Sequence, residues 1–213
     1  MKILGIFLCA LSMLTVLMAS PAAAYRIDVY DNGSSIVNFG DAESLVESGA
    51  IIASDDMSII EFDDLGDGTR GNYSVNNAFP GIALTGNSDF AVTVTGSIYL
   101  TAGDWTFGLN HDDGARLTVG GSTIAADGIA DNRNSLLYVN GLTAGYYDVE
   151  ILFFEHLGGA SLEFFGAPGS YSAWNSNDFS LIESAPVPEP TTLLLFGTGL
   201  AGIAGLRKKY LKR

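Results

Sequence analysis

Apolar residues recur at every second position over much of the chain. Phe90, Val92, Val94, Ile98 and Leu100 fall on one side of an extended segment, with Ala91, Thr93, Thr95, Ser97 and Tyr99 on the other. A period of two sends alternate side chains to opposite faces, so this segment predicts a strand with one face buried. The same alternation runs through Trp105, Phe107 and Leu109, and through Tyr147, Val149, Ile151 and Phe153 against Asp148, Glu150 and Leu152. Leu162 and Phe164 continue it after Gly158-Gly159. Arg26 to Tyr30 and Ser35 to Phe39 flank Asp31-Asn32-Gly33, which has the turn chemistry of a β-hairpin. One short helix is predicted, from Asp41 as N-cap to Gly49 just past its end. Gly, Ser, Asn and Asp separate the apolar segments, and the sum predicts an all-β fold, an antiparallel sandwich or barrel.

The two ends depart from this pattern. Lys2, an apolar run from Ile3 to Met18 and the small residues Ala22-Ala23-Ala24 read as a helical secretory signal peptide with a cleavage site around Ala22 and Ala24. The mature protein then begins near Tyr25. Cys9 is the only cysteine and lies inside that peptide, so no disulfide, thiol nucleophile or cysteine metal site is expected after processing. At the other end stand Val187-Pro188-Glu189-Pro190, an apolar run from Thr191 to Leu206, and the cations Arg207, Lys208, Lys209, Lys212 and Arg213. As a helix that run rises about 24 Å, short of a hydrocarbon core about 30 Å thick. It can insert, but it makes a marginal permanent anchor, and the terminal cations favour the cytoplasmic side.

These three parts in this order resemble the PEP-CTERM sorting signal. The resemblance implies export by a Gram-negative bacterium and delivery to an exosortase-type membrane protease or transpeptidase. It further implies a transient stay in the inner membrane through the C-terminal helix, and a final place at the cell surface or in the extracellular matrix. The expected organisation is therefore 1–24 signal peptide, 25–185 folded domain and 186–213 sorting signal.

Charge narrows the partners. The chain carries 24 acidic residues against 10 Lys and Arg, a formal net charge of −14. Between residues 25 and 185 the only strong cations are Arg26, Arg70, Arg116 and Arg133. Such a surface repels nucleic acid and anionic lipid, so no nucleic-acid partner is expected.

A second likeness spans roughly Ser48 to Pro168. Phe90 to Phe107, containing Gly96, Gly103 and Trp105, followed by His111-Asp112-Asp113-Gly114-Ala115-Arg116-Leu117, looks like the middle of the protective-antigen-type (PA-14) domain. Leu142 to Ile151, then Glu155 and Gly158-Gly159-Ala160-Ser161-Leu162, looks like its next strand and return. The resemblance implies a β-sandwich with jelly-roll-like character, used in adhesins and toxins and often assigned to carbohydrate binding. In the flocculin branch of that family an Asp-Asp pair joined by a cis peptide binds calcium, which in turn holds sugar hydroxyls. Carried over, the pair is Asp112 and Asp113, with Glu155 in the place of an asparagine ligand. Calcium is then the implied cofactor and extracellular polysaccharide the implied partner, with His111, His156 and Trp174 as candidate sugar contacts. The bare residues also admit a simpler reading, in which Asp113-Gly114 is a hairpin turn and Asp112 is solvated.

The remaining candidates are weaker. Glu61-Phe62-Asp63-Asp64 and Asp67 do not meet the EF-hand spacing and read as a solvated turn. Asp55-Asp56 reads as a solvated loop, and Asp127 and Asp131 flank another. Two scattered histidines give little basis for zinc catalysis, and no Gly-x-Ser-x-Gly elbow is present. A non-catalytic role is expected, either as a glycan-binding surface protein or as a structural spacer without a small ligand.

Overall fold

The computed structural model describes residues 24–63, 71–73, 77–83, 89–129 and 133–185. The expected signal helix and C-terminal helix, with Ala22, Val187, Pro188, Glu189, Pro190, Arg207 and Lys208, lie outside the described residues. Ala24 immediately precedes the first strand. Residues Ala23–Ala185 form one compact unit. The order is β1 (Tyr25–Tyr30), α1 (Phe39–Glu47), β2 (Ile51–Met57), β3 (Glu61–Asp63), β4 (Phe90–Leu100), β5 (Gly103–Asp112), β6 (Gly114–Val119), β7 (Ser122–Ala126), β8 (Arg133–Leu142), β9 (Gly145–Glu155), β10 (Ser161–Pro168) and β11 (Ser180–Leu181).

The strands pair in two antiparallel sheets. One has the order β2-β1-β4-β9-β6-β7, and the other β11-β10-β5-β8, with β3 also on β10. This is the all-β sandwich that alternation predicts. Ile27, Val92, Val94, Leu117, Val149 and Ile151 of the first sheet meet Phe107, Leu109, Leu162 and Phe164 of the second in one buried core. Phe79, from the segment before β4, plugs the space between the layers. Its ring stacks on Phe62 at 4.9 Å and on Phe153 at 5.5 Å, and meets Phe90 edge-on at 5.0 Å.

Alternation breaks down where a sheet is covered on both sides. In β9, Leu152, Phe153 and Phe154 are all buried, because α1 sets Phe39, Ala42 and Leu45 against the outer face of the six-stranded sheet. Phe165, Ala167 and Phe179 are likewise buried outside the five-stranded sheet, packed against Tyr73, Tyr171 and Trp174.

Three local expectations are corrected. Ser35 to Val37 form no strand, and Phe39 opens the helix. Asp31 and Asn32 accept the N–H groups of Gly33 and Ser34 at 2.7 and 3.0 Å, side-chain bonds that compete with a ladder and turn the chain away. β1 finds its partners in β2 and β4 instead. Asp55-Asp56, read as loop, belongs to the edge strand β2, whose exposed faces give no apolar signal. Glu61 and Asp63, read as a solvated turn, lie in β3 and are each 1% exposed.

The helix is capped by Asn38 rather than Asp41. Asn38 Oδ1 accepts the Asp41 N–H at 3.1 Å, while the Asp41 carboxylate accepts the Val37 N–H at 3.1 Å. Gly49 follows the helix at φ 70°, a left-handed conformation that glycine adopts without cost from a side chain. Asn38→Ala is expected to lower stability by about 1 kcal/mol in urea unfolding, the usual value of an N-cap.

Candidate metal centre

The chain leaves one sheet and enters the other at Asp112-Asp113-Gly114. Asp112 closes β5 and Gly114 opens β6, and these strands belong to different sheets, so the segment is a crossing between layers rather than a hairpin turn. The Asp112–Asp113 peptide is cis. Gly114 pairs with Phe154 of β9, which puts Asp113 beside the next residue, Glu155. A Cβ on Gly114 would collide with the Phe154 ring, so the close approach of the two strands requires glycine here. Gly158 and the loop 156–160 then return the chain to β10, whose Ser161 pairs with Asp112.

Asp112, Asp113 and Glu155 are 9%, 4% and 1% exposed. One carboxylate oxygen from each lies within 4.8 Å of the others. Calcium binds oxygen at about 2.3–2.6 Å, so ligands across one ion stand about 4.6–5.2 Å apart, and the three oxygens can share a single centre. Three acids held this close repel one another, and a divalent cation offsets that repulsion. The donors are all hard oxygens, the set suited to calcium.

The two histidines adjoin the cluster, as the sequence spacing suggests, but they orient it. His111 is 0% exposed, so it is withdrawn from contact with an external sugar. Its Nδ1 bonds the carbonyl oxygen of Asp113 at 2.5 Å, and its Nε2 meets the Ser135 hydroxyl at 2.8 Å. A carbonyl only accepts, which fixes the proton on Nδ1 and makes Nε2 an acceptor in the neutral ring. Burial lowers the His111 pKa, Arg133 lowers it further, and the Asp113 carbonyl opposes them. The backbone N–H of His156 donates to Asp113 Oδ2 at 2.8 Å. The His156 ring turns to Asp89 Oδ1 at 2.7 Å and to Ser35 Oγ at 3.2 Å, with 22% of its side chain exposed. Asp89 also accepts the Ile36 N–H at 3.0 Å. It ties the loop before α1 to the loop after Glu155, and nothing in the sequence pattern marked it.

Trp174 stands elsewhere. It packs edge-on to Tyr73 at 6.3 Å, outside the five-stranded sheet and near Phe165. Phe165 pairs with Gly108, four register steps along β5 from Asp112. Asp127 serves as structure, since its carboxylate accepts the Phe39 N–H at the start of α1 at 2.8 Å. Asp131 lies outside the described residues.

Among known proteins, residues 186–209 match the PEP-CTERM protein-sorting motif. A search of curated proteins finds no match. Solved structures similar in fold include the PA14 domain of the MpAFP antifreeze protein, with a TM-score of 0.58 and 18% identity over 81% of this chain and 98% of that one. The PA14 sugar-binding domain from an RTX adhesin gives 0.53 and 19% over 76% and 99%. The Epithelial Adhesin 9 A domain from Candida glabrata, solved with Galb1-4GlcNAc, gives 0.53 and 12% over 76% and 90%. The chain thus joins the fold of the PA14 domain to a PEP-CTERM protein-sorting motif.

Proposed function

We propose that this chain is an exported, non-catalytic surface or matrix protein that binds extracellular polysaccharide through a calcium ion held by Asp112, Asp113 and Glu155. The observation that carries this reading is the convergence of three buried carboxylates, from both layers of the sandwich, within 4.8 Å of one another. A bound ion with open coordination positions takes sugar hydroxyls as further oxygen ligands. The similar folds of a sugar-binding adhesin domain and of an adhesin solved with a disaccharide support the same reading. In this proposal residues 1–24 are removed on export and 25–185 are the binding domain. Residues 186–213 hold the chain briefly in the inner membrane of a Gram-negative cell until an exosortase-type enzyme processes it.

Thermal melting of the purified protein, with glycan binding in parallel, tests this. Calcium at ten times its dissociation constant should add about 1.4 kcal/mol of stability, and chelator should abolish binding to a glycan array. Asp113→Asn should remove both effects while keeping the fold, because an asparagine oxygen still accepts the His156 N–H. An unchanged melting temperature at millimolar calcium, with no chelator-sensitive glycan binding, would leave a structural spacer as the function.

A further inference from the structure

A groove between α1 and the six-stranded sheet lies apart from the metal centre. On the outer face of that sheet the ladders align Thr93, Leu152 and Arg116 in one row, and Thr95, Glu150 and Thr118 in the next. Helix α1 borders this grid with Val46 and Glu47, leaving a cavity of about 370 Å³, within the range of about 300–1,000 Å³ common for small-ligand sites. The helix wall contributes Glu43 and Glu47, and the floor carries the threonines Thr93, Thr95 and Thr118 and the Glu150 carboxylate. Its one guanidinium, Arg116, is already committed, since it pairs with Glu43 at 2.9 Å and lies 5.1 Å from the Phe39 ring centroid. No ion pair among the described residues engages Glu47 or Glu150. Asp148, opposite Ser97 on the ladder, extends the acidic row.

We infer that this groove is a second ligand site, for an oligosaccharide carrying free amines of the glucosamine type, and that it works without a metal. Charge decides the class. Glu47 and Glu150 attract protonated amines and repel acidic polysaccharides, and a neutral glycan would leave them without a counter-charge. Thr95 offers a hydroxyl that both donates and accepts, while Thr93, which donates to Tyr30 at 3.3 Å, and Thr118, bonded to Thr123 at 2.9 Å, keep remaining acceptor positions for a sugar's hydroxyls. Val46 supplies an apolar patch for the ring. The Arg116–Glu43 pair and the Arg116–Phe39 contact hold the helix wall against the sheet, so the groove is preformed. This inference does not rest on the calcium reading.

Calorimetric titration of the purified protein in EDTA, with a glucosamine tetramer and with its N-acetylated counterpart, tests it. The amine form should bind at least 10-fold more tightly, and the double variant Glu47→Gln, Glu150→Gln should lower that affinity at least 10-fold. Both side chains are exposed, so the fold should persist. Thr95→Arg, on the same exposed face, should block binding independently, and Asp113→Asn should leave it unchanged. Equal affinity for the two tetramers, or undiminished binding by the double variant, would overturn the inference. So would spermidine binding as tightly as the amine tetramer, which would make the groove a trap for cations rather than a glycan site. Binding that required calcium and failed in Asp113→Asn would assign the sugar to the metal centre instead.

Discussion

Phe79→Ala is expected to lower the unfolding free energy by about 3–5 kcal/mol, the usual cost of truncating a buried phenylalanine. The ring is 1% exposed and touches Phe62, Phe90 and Phe153 at once. These partners come from β3, β4 and β9, so no single neighbour can move to fill the space without disturbing a ladder. The loss therefore includes a cavity term as well as the transfer of the ring to water. It also reaches the candidate site, because Phe90 pairs with Glu155 at the end of the β4–β9 ladder. Urea unfolding monitored by tyrosine and tryptophan fluorescence measures the first effect. Calcium titration of the same variant should show weakened affinity. A change below about 1 kcal/mol would mean that the segment 77–83 does not close the core.

The second large effect is a dependence of stability on pH that runs opposite to ordinary acid denaturation. Burial, helped by the nearby Glu61 and Asp63, pushes the Glu163 carboxyl up to about 7, against the backbone N–H groups of Asn72 and Tyr73, which favour the ionised form. Those N–H groups lie 2.7–2.9 Å from its oxygens. Between the ordinary value of 4.5 and about 7 the folded protein therefore binds more protons at Glu163 than the unfolded chain does. Its contribution is complete below pH 4.5 and is lost as pH rises through 7, a change of about 3 kcal/mol at 1.36 kcal/mol per pKa unit. Unfolding midpoints measured in EDTA from pH 5 to pH 8 should fall more steeply for the wild type than for Glu163→Gln. The variant should be the more stable of the two at pH 8. Parallel pH profiles would show that Glu163 titrates normally.

Much of the architecture was legible because long stretches of the central strands alternate between core and outer positions. β4, the apolar positions of β5 and the first half of β9 carry their inner-layer core residues at alternate positions, which marks them as strands without fixing their partners. The edge strand β2 escaped notice because Ser54, Asp55 and Asp56 face solvent and carry no apolar period. β3 escaped because its acids are buried by contacts from a distant part of the chain. The convergence of Asp112, Asp113 and Glu155 was legible through the likeness to a known family rather than through spacing alone, since Asp113-Gly114 in isolation looks like any hairpin turn. What sequence could not give was the crossing between sheets at Gly114, the withdrawal of His111 into the interior, and the role of Asp89. Each depends on a register between strands far apart in the chain, to which local periodicity is blind.

The origin of the three acids in opposite layers has a mechanical meaning. Asp112 ends a strand of one layer, Glu155 ends a strand of the other, and Asp113 occupies the passage between them. An ion gripped by all three would act as a rivet through the rim of the sandwich. Sliding the layers apart under tension would then require rupture of ion–oxygen bonds as well as separation of packed side chains. Under the proposed calcium-dependent role, a cell held to its surroundings by such modules would hold harder in calcium-rich water and yield sooner where the ion is scarce.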